Sequence, residues 1–93
     1  MGTYIMLGKY SREGIQDISA DRTRQVGELV EKLGGTVEAM FAVLGEYDLV
    51  LRLQLPDTAK AMKASIELGK LTGISFTTLP ALSVEQFDRL AGD

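Results

Sequence analysis

Apolar and polar positions alternate along this chain in four short extended runs, separated by stretches with helical spacing. "TYIMLGKY", Thr3 to Tyr10, is β-branched, aromatic and apolar, and predicts a first strand. From about Ala20 to Leu33, Val26, Leu29, Val30 and Leu33 fall at i, i+3, i+4 and i+7, the stripe of a half-buried helix. Gly34-Gly35 stops that helix, because glycine takes the left-handed conformation after a helix without a Cβ penalty. "TVEAMFAVL", Thr36 to Leu44, reads as a second strand, and "DLVLRLQL", Asp48 to Leu55, as a third with Leu49, Leu51, Leu53 and Leu55 in strict alternation. Pro56-Asp57 ends it, and a second helix is predicted over about Thr58 to Leu71, with Ala59, Met62 and Ile66 on one side. "ISFTTL" from Ile74 is the fourth strand, closed by Pro80. Ser83 and Gln86 form an S-x-x-Q capping box for a short last helix, with Val84, Phe87 and Leu90 expected to face inward. After the first strand, "SREGIQDI" predicts a helical turn with Ile15 and Ile18 inward.

The order β-α-β-β-α-β plus a terminal helix defines an α+β fold, the ferredoxin-like sandwich. Its four-stranded antiparallel sheet is expected in the order 4-1-3-2 with both main helices on one face. No repeat, linker or low-complexity tract interrupts the 93 residues, so a single domain over 1–93 is expected.

Alternation also assigns the faces of the sheet. Ile5, Leu7, Val37, Ala39, Phe41, Val43, Leu49, Leu51 and Leu53, with Ile74 and Phe76, are expected under the helices. That leaves Tyr4, Met6, Met40, Ala42, Leu44 and Val50 close together on the other face, beside Glu38, Asp48, Arg52 and Gln54. A solvated face should be plainly polar, and an uncovered patch of this kind exceeds what most soluble monomers tolerate. The last helix is too short to cover four strands. A second copy packed sheet against sheet is therefore expected, with Tyr4, Met6, Met40, Ala42, Val50 and Arg52 at the interface. Arg52 and Glu38 should lie within reach of each other there, since a half-buried arginine needs a partner.

Composition narrows the chemistry. The chain has no cysteine and no histidine, which removes disulfides, thiol nucleophiles, Cys/His zinc sites and the commonest general base. Neither a metal nor a cofactor is expected. Net charge is -3 with 10 Lys and Arg scattered along the chain, so nucleic acid and anionic membrane are disfavoured partners. No apolar run is long enough to span a bilayer and the strand-like start lacks a signal-peptide segment, so a cytoplasmic location is expected.

The stretch "LGEYDLV", Leu44 to Val50, is the candidate site. A three-residue loop, Gly45-Glu46-Tyr47, keeps the apolar sets of the second and third strands on matching faces, with Gly45 at an unusual φ and Asp48 accepting backbone N–H groups across the turn. The first strand runs beside the third, so Lys9 and Tyr10 should come near Asp48, with Tyr10 and Asp48 both on the open face. Tyr4, Lys9, Tyr10, Tyr47, Asp48 and Arg52 are then the residues available to a small ligand. A turn whose tyrosine packs on a neighbour is the simpler reading of the same residues. If the site is catalytic, Tyr10 or Tyr4 would donate a proton, Asp48 would act as base, and Lys9 or Arg52 would hold an anionic substrate.

Three segments together, "TYIMLGKYSREGI", "LGGTVEAMFAVLGEYDLV" and "LSVEQFDRL", resemble the GYD domain family, the Gly-x-Tyr-Asp stretch being Gly45, Tyr47 and Asp48 here. That resemblance implies a ferredoxin-like dimeric α+β barrel of uncharacterised function, and it brings no established catalytic residues. "LGEYDLVLRLQLPD" is also similar to the effector-binding domain of the feast/famine transcription regulators, although this chain has no DNA-binding helix-turn-helix. The open apolar face and the poverty of classical catalytic side chains lead to the expectation of a homodimer, or a higher oligomer, acting as a non-catalytic small-molecule-binding or accessory protein. The alternative it leaves open is a cofactor-free oxygenase- or isomerase-like enzyme, with a pocket between the open face and the hairpin end.

Overall fold

The structure is a computed structural model that describes residues 1–12, 15 and 18–92. Four strands, β1 (Gly2–Tyr10), β2 (Thr36–Ala42), β3 (Leu49–Leu55) and β4 (Ile74–Ala81), alternate with helices α1 (Ala20–Lys32) and α2 (Thr58–Thr72), and α3 (Val84–Gly92) follows the last strand. All neighbouring strands are antiparallel, in the order β2-β3-β1-β4, which is 4-1-3-2 counted from the β4 edge.

Local chemistry sets the helix limits. Ser19 Oγ accepts the Arg22 N–H at 3.0 Å and starts α1, which ends before Gly34 at φ 87. Asp57 caps α2 by accepting the Lys60 N–H at 2.8 Å, and Gly73 at φ 70 closes it. The buried side of α2 is Ala61, Ala64, Leu68 and Thr72, while Met62 and Ile66 are exposed on its outer side. The small alanines let the helix lie close to the sheet. Thr72 is buried but satisfied: its hydroxyl donates to Leu68 O at 2.7 Å and accepts the Ile74 N–H at 3.0 Å.

One core joins Val26 and Val30 of α1, the buried side of α2, and Tyr4, Met6, Leu51, Leu53 and Leu55 of the sheet. This corrects the face assignment of β1. Tyr4 pairs with Leu53, Met6 with Leu51 and Gly8 with Leu49, so the even residues of β1 lie under the helices and Ile5 and Leu7 do not. Gly8 is there because a side chain does not fit: a Cβ would come within 2.8 Å of the Phe76 ring and 2.9 Å of Ile74.

A β-bulge corrects β2. Val37 lies opposite Leu53, but after a register shift between Val37 and Ala39 the next pairs are Ala39–Arg52, Met40–Leu51 and Phe41–Val50. Beyond the bulge Met40 packs against the core and Ala39 and Phe41 turn to the open face. The inward placement expected for the α3 stripe also fails, since no residue of α3 is buried. The turn expected over "SREGIQDI" lies partly outside the described residues; Ile15 and Ile18 are exposed.

Candidate functional site

The hairpin between β2 and β3 is one residue longer than the faces require in the sequence. Val43 N–H donates to Asp48 O at 2.9 Å, which leaves a four-residue loop, Leu44 to Tyr47. Gly45 takes φ 126, a conformation that strains any residue with a Cβ. The longer loop reverses the parity of β2 against β3, and the bulge beside Glu38 reverses it back.

Asp48 closes its own turn through its carbonyl, which accepts the Val43 N–H, and it also binds the hairpin to the end of β1. Its N–H donates to Gly8 O at 2.8 Å, and its carboxylate accepts the Tyr10 N–H at 2.9 Å. The two residues meet as expected, but through the tyrosine backbone. The Tyr10 ring lies on the helix side, with the Arg22 guanidinium 5.8 Å above its centroid. Arg22 in turn donates to Thr72 O at 3.3 Å. Tyr10, Arg22, Val26, Met40, Leu49 and Phe76 help to line a cavity of about 40 Å³, which corresponds to roughly one water.

The expected site residues therefore divide between two faces. Tyr4 is buried under the helices, its hydroxyl 3.3 Å from Thr58 Oγ1, and Met6 is fully buried. Neither is available to the open face, and Met40 leaves it through the bulge together with Ala42, which pairs with Leu49. Lys9 is exposed, Tyr47 and Asp48 are half-buried at the hairpin base, and Val50 and Arg52 do stand on the open face. Arg52 Nε is 3.5 Å from Glu38 Oε1, the ion pair read from the sequence. Gln54 Nε2 donates to the same Glu38 oxygen at 3.1 Å and to Thr3 Oγ1 at 2.7 Å.

The open face remains apolar even with its membership changed. Ile5, Leu7, Ala39, Phe41, Val43, Val50 and Leu79 occupy it, with Phe41 60% and Leu79 44% exposed. Ile5, Leu7, Phe41 and Val43 escape sequence reasoning, which puts them under the helices. Thr3 and Lys9, polar residues of the same parity as Ile5 and Leu7, are the available signal in β1.

The described residues contain no group of three or more Asp, Glu, His or Cys that could hold a metal ion, and no described helix is long and apolar enough to cross a membrane. A groove of about 660 Å³ runs along Gln25, Glu28, Leu29, Glu31 and Lys32 of α1 to Leu71 of α2, away from the hairpin.

A family model described as GYD domain matches residues 4–91. A Thermus thermophilus protein named "Glutamine synthetase and cystathionine beta-lyase binding protein" is 30% identical over 87 residues, covering 90% of this chain and 92% of that protein. Among solved structures, TTHA0845 from Thermus thermophilus superposes with a TM-score of 0.57 at 25% identity, over 88% of this chain and 94% of that one. The Mycobacterium tuberculosis leucine response regulatory protein LrpA superposes with a TM-score of 0.59 at 10% identity, over 88% of this chain but 51% of LrpA, a likeness of fold.

Proposed function

This chain belongs to the GYD domain family, and on that premise we propose that it is a non-catalytic accessory protein, working as a homodimer joined through its open sheet faces. The uncovered apolar set Ile5, Leu7, Phe41, Val43, Val50 and Leu79 carries this reading. A contiguous apolar surface of that kind marks an interaction site, and a two-fold axis lets one patch serve as its own complement. The Arg52–Glu38–Gln54 group lies on the same side and would fix the register of the two sheets.

The accessory role extends to this chain what the Thermus relative's name says of that protein, that it binds glutamine synthetase and cystathionine beta-lyase. The small cavity beside Tyr10 supports a surface-acting protein, because one protomer has no room for a metabolite there. Any small-ligand site at the hairpin end would have to be completed by the second copy, with Lys9, Tyr47, Asp48 and Arg52 at its seam. The enzyme reading gives the proton-donor role to Tyr10 or Tyr4, and both of those rings are on the helix side, away from these groups.

Light scattering at micromolar concentration tests the assembly. The expected particle is about 20 kDa, twice the 10.1 kDa chain, and Phe41→Asp should halve it without loss of secondary structure. A wild-type particle of one chain mass overturns the dimer. Calorimetric titration with purified glutamine synthetase and cystathionine beta-lyase tests the role. Binding to at least one is expected, and no heat with either removes this class of partner.

A further inference from the structure

The last helix is well started and poorly finished. Ser83 Oγ accepts the Gln86 N–H at 3.1 Å, Gln86 Oε1 accepts the Ser83 N–H at 3.2 Å, and Arg89 pairs with Glu85 at 3.4 Å. Yet Val84, Phe87 and Leu90, on one side of α3, are 74%, 59% and 73% exposed. Its nine residues fall short of the roughly 12–15 at which an isolated helix becomes even marginal in water, and short helices in proteins persist by packing an apolar side. No other described element packs broadly against this one.

We propose that α3 is an arm whose Val84–Phe87–Leu90 side seats on the second copy of this chain and closes the dimer. The inference rests on the sheet-to-sheet reading above and adds a second surface to it. Area is the first argument. Strands about seven residues long, spaced by about 4.8 Å, give a sheet face of roughly 450 Å² in plan. That plan area, before side-chain relief, is a little over half of the roughly 800 Å² that a stable interface buries on each partner. A second contact would enlarge it, and α3 is the exposed apolar element that directly follows the edge strand of the open face. Continuity is the second argument. Leu79 and Ala81 lie on the open face, paired with Ile5 and Thr3, and exposed Leu82 carries the apolar surface into the helix. The open face thus runs on through Leu82 to the start of α3, so a second copy seated on the sheet lies beside the helix.

A benzophenone-bearing phenylalanine introduced at position 87 of the intact chain, irradiated at micromolar concentration, should give a covalent dimer on a denaturing gel. The double substitution Phe87→Ser, Leu90→Ser should raise the dimer Kd at least tenfold in analytical ultracentrifugation. Because α3 contributes nothing to the protomer core, that variant should keep its fold. Crosslinks confined to one chain, with an unchanged Kd, overturn the arm while the sheet dimer stands. A wild-type particle of one chain mass at the same concentration overturns both.

Discussion

The two faces of this sheet are built from similar residues and meet different fates. Leu51 and Val50 are neighbours on β3, one fully buried under α1 and α2, the other half-buried on the open side. The covered face is closed by small groups placed where neighbours crowd in: Gly8 beside Phe76 and Ile74 of β4, and Ala61 and Ala64 along α2. The open face has no such provision. Its Ile5, Leu7 and Phe41 form a broad surface suited to another sheet. Hydrophobicity alone therefore does not say which side of a strand is interior to one chain; the fit of small residues against large ones does.

The contrast can be broken most forcefully at β3. Leu51→Ala should cost about 2–5 kcal/mol in urea unfolding, the range for a large-to-small change in a packed core. Val50→Ala beside it should have an effect that fades as the protein is diluted, since its loss falls on association. Equal costs independent of concentration would mean the two faces do not differ. A similar pair exists on β1. Gly8→Ala should cost about 1–3 kcal/mol through overpacking, whereas Lys9→Ala should stay within about 0.5 kcal/mol. Asp48→Ala should cost about 1.5 kcal/mol for its charged hydrogen bond and speed hydrogen exchange at the Tyr10 amide. Unchanged exchange there would mean that Asp48 does not hold the end of β1. The smallest effect has the opposite sign. Gly27 lies within α1, and a Cβ added there would meet nothing within 4 Å. Gly27→Ala should therefore stabilise by about 0.5–1 kcal/mol and raise Tm.

Much of the architecture is legible in the residues. The leucine alternation of β3, the apolar spacing of α1 and the Ser83–Gln86 capping box place their elements directly. The parity of β1 is not legible from apolar content, because Tyr4 and Met6 compete with Ile5 and Leu7 on equal terms. The glycine decides the matter: Gly8 is needed where Phe76 and Ile74 crowd the strand, a contact between segments far apart in the chain. The bulge near Glu38 has no local signature, since it answers to a loop several residues further on. The α3 stripe reads as inward only if a single chain supplies its partner. At the candidate site, Gly45 and the Arg52–Glu38 pair are readable from turn chemistry and charge. The side taken by Tyr10 is not, because it follows the parity of β1, which the apolar content leaves ambiguous.

The irregularity at Glu38 makes β2 two half-strands with independent phase. Val37 on one side of it and Met40 on the other both reach the core although they are an odd number of positions apart. A lesion that removed Glu38 alone would merge the halves into one regular strand, because Val37, Ala39 and Met40 would then follow one another opposite Leu53, Arg52 and Leu51. Both core side chains would keep their places, and the loss would fall on the open side, where Arg52 and Gln54 share the Glu38 carboxylate. The spare residue of β2 is thus dispensable to the interior and serves the polar group on the uncovered face.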